Sequence, residues 1–147
     1  KTDGNGTNLV VEHEMKSFTG NQPKATLLQA SNGKFYGTTY YGGTNSGVLF
    51  EYDKTTNDYK VLVNFDYGTT SGVMPKGNLI QASNGKLYGT AEQGGDYSRG
   101  ILYEYDILTN TFTKKVDFEE ISTGSFMNAV CDDSVCEYCH LVELLRE

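Results

Sequence analysis

Two stretches of this chain are near-copies of each other, and that repetition limits the fold more than any other feature. Residues 24–43 read KATLLQASNGKFYGTTYYGG and residues 76–95 read KGNLIQASNGKLYGTAEQGG, identical at 13 of 20 aligned positions. After one inserted residue the register resumes, with GVLFEYD at 47–53 answering GILYEYD at 100–106. Phe65-Asp66 then answers Phe118-Glu119. An internal period of about fifty residues marks a repeat architecture, in which a single supersecondary unit cannot bury its apolar surface alone.

Each unit reads as four short strands. In the first they are Thr26–Ala30, Lys34–Tyr40, Val48–Asp53 and Tyr59–Asp66, separated by the turns Ser31-Asn32-Gly33 and Lys54-Thr55-Thr56-Asn57 and the Gly-rich loop 41–47. Asn-Gly supplies the positive φ that a tight hairpin needs. The second unit repeats them at Asn78–Ala82, Lys86–Glu92, Ile101–Asp106 and Thr111–Glu119. Composition agrees, because 17 Gly, 2 Pro and 12% aromatic residues suit many tight turns between strands, and neither a helical bundle nor a disordered chain. The expected fold is all-β, with tandem four-stranded antiparallel blades of β-propeller-like type and a short Cys-rich C-terminal tail.

The ends extend the pattern. Val10–Phe18 resembles the fourth strand of a preceding unit, with Phe18 in the place of Phe65 and Phe118 and Pro23 where Pro75 stands. Met127 answers Met74 on the way into a third unit, but no third QASNG follows. The expected organisation is a β-repeat domain over 1–130: a partial blade at 9–20, blades at 24–66 and 76–119, and the start of a third at 120–130. Residues 131–147 form the tail.

These motif blocks, YGTTYYGG and YGTAEQGG after L(L/I)QASNGK and before G(V/I)L(F/Y)EYD, resemble the GloVer repeats of Gloeobacter and Verrucomicrobia over about residues 18–130. The resemblance implies a protein that is exported from a bacterium and is extracellular or attached to the cell surface. It also implies propeller-like blades and no assigned catalytic residue. Two complete repeats are too few to close a ring, and the resemblance does not explain the tail.

Charge narrows the partners. Twelve Lys and Arg against 19 Asp and Glu give a net charge of −7, which repels phosphate backbones and argues against nucleic acid. No apolar run approaches the roughly 20 residues of a membrane span. The start, Lys1-Thr2-Asp3-Gly4, has no apolar h-region, so a signal peptide is expected to be already removed. Open strand edges recruit partners, so the expected partners are copies of the chain itself, joined in a ring or a filament.

The sharpest local signal is Cys136-Glu137-Tyr138-Cys139-His140, the C-x-x-C-H spacing of covalent c-type haem attachment. His13, Met15, Met74 or Met127 could supply a sixth ligand. Only seven residues follow the motif, and no helical domain flanks it to enclose a porphyrin. The same cluster reads alternatively as a Cys3His zinc site on Cys131, Cys136, Cys139 and His140, whose spacing is awkward. A disulfide among Cys131, Cys136 and Cys139, within one chain or between two, suits an extracellular protein better. Residues 135–145 could form a short amphipathic helix that caps the blade stack.

Other signals are weaker. Glu51 and Glu104 occupy equivalent strand positions, and a solvated strand face accounts for them more simply than paired catalytic carboxylates do. Cys139-His140 is a poor nucleophile–base pair, because adjacent residues rarely meet productively. Tyr40, Tyr41 and Tyr97, beside the Gly-rich loops, could stack on sugar rings or simply pack between blades. Asp3-Gly4-Asn5-Gly6-Thr7 resembles a calcium loop only vaguely, since it lacks the bidentate Glu, and Asn5 begins an N-x-[ST] sequon.

The leading expectation is therefore a non-enzymatic, extracellular, self-associating structural or adhesive module without a cofactor. A c-type haem electron-transfer unit and a carbohydrate-binding module taking glycans are the alternatives.

Overall fold

The structure, a computed structural model, describes residues 13–44, 46–67 and 71–119. They form β1 (Leu28–Gln29), β2 (Phe35–Thr39), β3 (Val48–Asp53), β4 (Asp58–Asn64), β5 (Val73–Pro75), β6 (Ile80–Gln81), β7 (Leu87–Gln93), β8 (Ile101–Asp106) and β9 (Thr111–Asp117). No helix occurs among the described residues. The third strand of each repeat has the expected bounds, whereas the first shrinks to two residues.

Two antiparallel sheets result, one of four strands in the order β1-β2-β3-β4 and one of five, β5-β7-β8-β9 with β6 also on β7. β5 and β6 lie on the same edge of β7: Val73 pairs with Gln93 and Pro75 with Ala91, while Ile80 pairs with Tyr88 and Gln81 with Leu87. They are two pieces of one interrupted edge strand. The first sheet has the same interruption, with an Asn21–Tyr41 bridge standing where Val73 meets Gln93. The bulges repeat too, between Leu49 and Phe50 and between Leu102 and Tyr103. Such shared irregularities mark one backbone plan used twice.

Why the chain turns where it does is local chemistry. Asn57 and Asn110 close the β3–β4 and β8–β9 turns at φ of 63° and 54°, which asparagine tolerates better than most residues. Their side chains accept hydrogen bonds from the Tyr52 and Tyr105 hydroxyls, at 2.7 and 3.1 Å. Gly47, at φ 103°, passes so close to the Thr39 carbonyl that a Cβ could not fit.

The sheets share one core. Ala30, Tyr36, Leu49 and Phe65 from the first repeat cluster with Leu79, Leu87, Ala91, Ile101, Tyr103 and Tyr105 from the second. Phe65, which follows β4, packs on Tyr103 at 5.3 Å and on Phe112 at 6.1 Å. Strand alternation sorts the faces. The Tyr36–Leu49–Glu51 face of the first sheet meets the Ile101–Tyr103–Tyr105 face of the second. The contact therefore joins unlike faces of like units.

Phe18 does not take Phe65's place: it is 68% exposed, whereas Phe65 is fully buried. The reason is loop length. Gly20 and Gly72 are the equivalent positive-φ glycines, at 111° and 69°, and the residue seven before Gly72 is Phe65. The residue seven before Gly20 is His13, which is exposed and lies flat on Tyr59 at 4.1 Å, whereas the buried Phe65 meets Phe112 edge to face.

Candidate functional site

The chemistry-bearing side chains gather in two places: a polar box built twice, and the loops at the opposite end of the strands. The box starts at the Asn-Gly turn. Lys34 N–H donates to Asn32 Oδ1 at 3.1 Å, and Lys86 N–H to Asn84 Oδ1 at 3.0 Å, closing the turn. The asparagine amide then donates to the tyrosine two residues beyond the lysine, Asn32 to Tyr36 at 2.9 Å and Asn84 to Tyr88 at 3.0 Å. Each tyrosine donates to the glutamate on the neighbouring strand: Tyr36 to Glu51 Oε2 and Tyr88 to Glu104 Oε2, both at 2.7 Å. The lysine ammonium holds the other oxygen, at 2.6 Å on Glu51 and 2.8 Å on Glu104.

Charge and burial reinforce this arrangement. The Lys86 ammonium and the Tyr88 hydroxyl hold the Glu104 carboxyl below its ordinary value. Glu51 raises the pKa of Lys34 through their hydrogen bond. Burial pushes the Tyr36 hydroxyl well above its ordinary range. Glu104 is 8% exposed, so the expected solvated face is corrected for this residue, and the carboxylate survives burial because a cation and a phenol satisfy it. A carboxylate with both oxygens engaged makes a poor base and a good structural tie. Composition and periodicity missed this box; its signal was the Asn-Gly-Lys-x-Tyr string recurring with Glu-Tyr-Asp.

The loop end carries the expected tyrosines. Tyr40 and Tyr41 meet edge to face at 4.6 Å and 81°. The Lys24 ammonium stands 5.7 Å from the centre of the Tyr40 ring, and burial raises the Tyr40 pKa, with Glu92 of the second sheet adding to it. Tyr40 is half-buried at the junction of the sheets, and Tyr41 is at the edge of exposure. Tyr97 sits instead in the β7–β8 loop, exposed, where Glu119 raises its pKa. The structure brings two of the three tyrosines together.

Cys131, Cys136, Cys139, His140 and Asn5 lie outside the described residues. Among those described, no group of three His, Cys, Asp or Glu side chains is placed to hold a metal ion. No helix among them is long and apolar enough to cross a membrane.

The twofold plan of strands, bulges and polar boxes is what a tandem-repeat family would impose. A family model of the Gloeobacter/Verrucomicrobia repeat matches residues 1–135. The chain belongs to the Gloeobacter/Verrucomicrobia repeat family. No curated protein and no solved structure matches it. In this Gloeobacter/Verrucomicrobia repeat protein, the Lys–Glu–Tyr–Asn box occurs once in each sheet.

Proposed function

We propose that this chain is a non-enzymatic structural or adhesive repeat module whose β-propeller-type blades associate with further copies of the chain, outside the cell or on its surface. One observation carries the reading: the two sheets meet through unlike faces, the Glu51 face of one against the Tyr103 face of the next. A contact between unlike faces is heterologous, so each added unit presents the same pair of faces again, and the series ends in a ring or grows as a filament. Membership in a repeat family supports a module made to be multiplied. The engaged carboxylates of Glu51 and Glu104 support a structural role over a catalytic one. The exported setting rests on the family resemblance of the motif blocks.

Sedimentation velocity over a hundredfold range of concentration tests association. The reading expects species larger than a dimer that grow with concentration. A single monomeric species throughout would refute it. Protease shaving of intact producing cells tests the setting, and a chain protected until lysis would argue against display.

A further inference from the structure

The turns that open the two polar boxes carry the pair Asn-Gly, at Asn32-Gly33 and Asn84-Gly85. This pair has a chemistry of its own. The backbone nitrogen of the glycine can attack the asparagine Cγ, closing a succinimide ring and expelling the side-chain nitrogen as ammonia. Water then opens the ring to aspartate or isoaspartate. Glycine favours the attack because it has no Cβ to shield its nitrogen. Both turns stand in open space: among the described residues nothing lies within 4 Å of a Cβ built on Gly33 or Gly85, and both asparagines are exposed. Packing therefore does not keep water or the nucleophile away.

Hydrogen bonds restrain the reacting groups instead. The attacking nitrogen is engaged, since Gly33 N–H donates to Ala30 O and Gly85 N–H to Ala82 O, both at 2.9 Å. The amide under attack is held at both of its ends. Its oxygen accepts from the lysine N–H, Lys34 or Lys86, and its nitrogen donates to the tyrosine hydroxyl, Tyr36 or Tyr88. Those bonds hold the amide toward the strand that follows the glycine. The tyrosine is fixed in turn by its glutamate. Ring closure requires the turn bond to break and the amide to leave the tyrosine.

We propose that Asn32 and Asn84 are deamidation sites and that the polar box is their gate, so that the ring closes only when a turn opens locally. The product cannot shut the gate again. An aspartate at position 32 or 84 has no N–H for the tyrosine oxygen, and it sets a carboxylate against a hydroxyl whose proton already goes to the glutamate. Isoaspartate lengthens the main chain of the turn by a methylene. Reaction at either turn therefore marks a copy of the chain irreversibly.

Peptide mapping of the full chain, incubated at neutral pH, reads conversion at each asparagine from the mass gained when amide becomes acid. Asn32 and Asn84 are expected to convert at least roughly tenfold more slowly in the folded chain than in guanidinium chloride, because the turn bond and both bonds to the amide must open first. Tyr36→Phe frees the amide nitrogen of Asn32 alone. It should speed that site by about threefold to tenfold while Asn84 keeps its rate, and Tyr88→Phe should do the reverse. Equal rates in the folded and the unfolded chain would overturn the gate. Acceleration of both sites by either single substitution would overturn local opening, since loss of the whole fold would then be the route. No conversion at either site in the unfolded chain would overturn the sites themselves.

Discussion

His13 lies flat on Tyr59, with ring centroids 4.1 Å apart and planes 1° from parallel. The imidazole, exposed, stands at the sequence position equivalent to the buried Phe65, which meets Phe112 edge to face at 6.1 Å in the second repeat. Phenylalanine carries more apolar surface than histidine, and such aromatic pairs contribute roughly 0.5–1.5 kcal/mol beyond burial. His13→Phe is therefore expected to raise the free energy of unfolding by about 0.5–1 kcal/mol. His13→Ala should lower it by a similar amount. Urea titration followed by tyrosine fluorescence checks both.

The Tyr103 hydroxyl is fully buried and has no hydrogen-bond partner among the described residues. The equivalent residue in the first repeat is Phe50. A buried hydroxyl without a partner costs about 1–3 kcal/mol, so Tyr103→Phe is expected to stabilise the chain by about 1 kcal/mol. A loss of stability on this substitution would mean that the hydroxyl is satisfied.

Leu79 and Leu27 should respond differently to truncation. Leu79→Ala opens a cavity in the shared core and is expected to cost about 3 kcal/mol. Leu27→Ala removes an exposed side chain and should change the stability of the isolated chain by less than about 0.5 kcal/mol. Equal losses would contradict the different burial of the two leucines.

Acid should loosen the polar box. The Glu104 pKa is lowered in the folded state by Lys86 and Tyr88, so its contribution is present above the unfolded carboxylate pKa and is lost as pH falls through the folded one. Asp106 acts in the same direction through the backbone N–H groups of Leu108 and Thr109. Stability should therefore fall below about pH 4, and less steeply in Glu104→Gln. At the alkaline end burial raises Tyr59 to about 12 from 10.0, so its contribution is complete below pH 10 and is lost as pH climbs toward 12. Chemical denaturation at a series of pH values reads both limbs.

Much of the fold was legible because the repeat aligned with itself. Identical blocks fixed β3 and β8 to the residue, and the Asn-Gly turns placed the hairpins. The interrupted edge strand escaped notice because Val73–Pro75 is three residues long, contains a proline and has Met74 at positive φ, none of which reads as a strand. Phe18 misled because a phenylalanine near the expected place outweighed its distance from Gly20. The polar box was hidden by alternation: period two told which face Glu51 shares with Leu49, but not that another sheet would cover it. The tyrosine loops were legible as places and illegible as contacts, since edge-to-face packing of Tyr40 on Tyr41 leaves no periodic trace.

The account turns on unlike faces meeting from one copy to the next. Light scattering measures the molar mass of the chain directly as concentration rises. The account predicts masses climbing past two chains of 16.2 kDa. A protein that stops at one chain, or at a closed pair, at every concentration would contradict it.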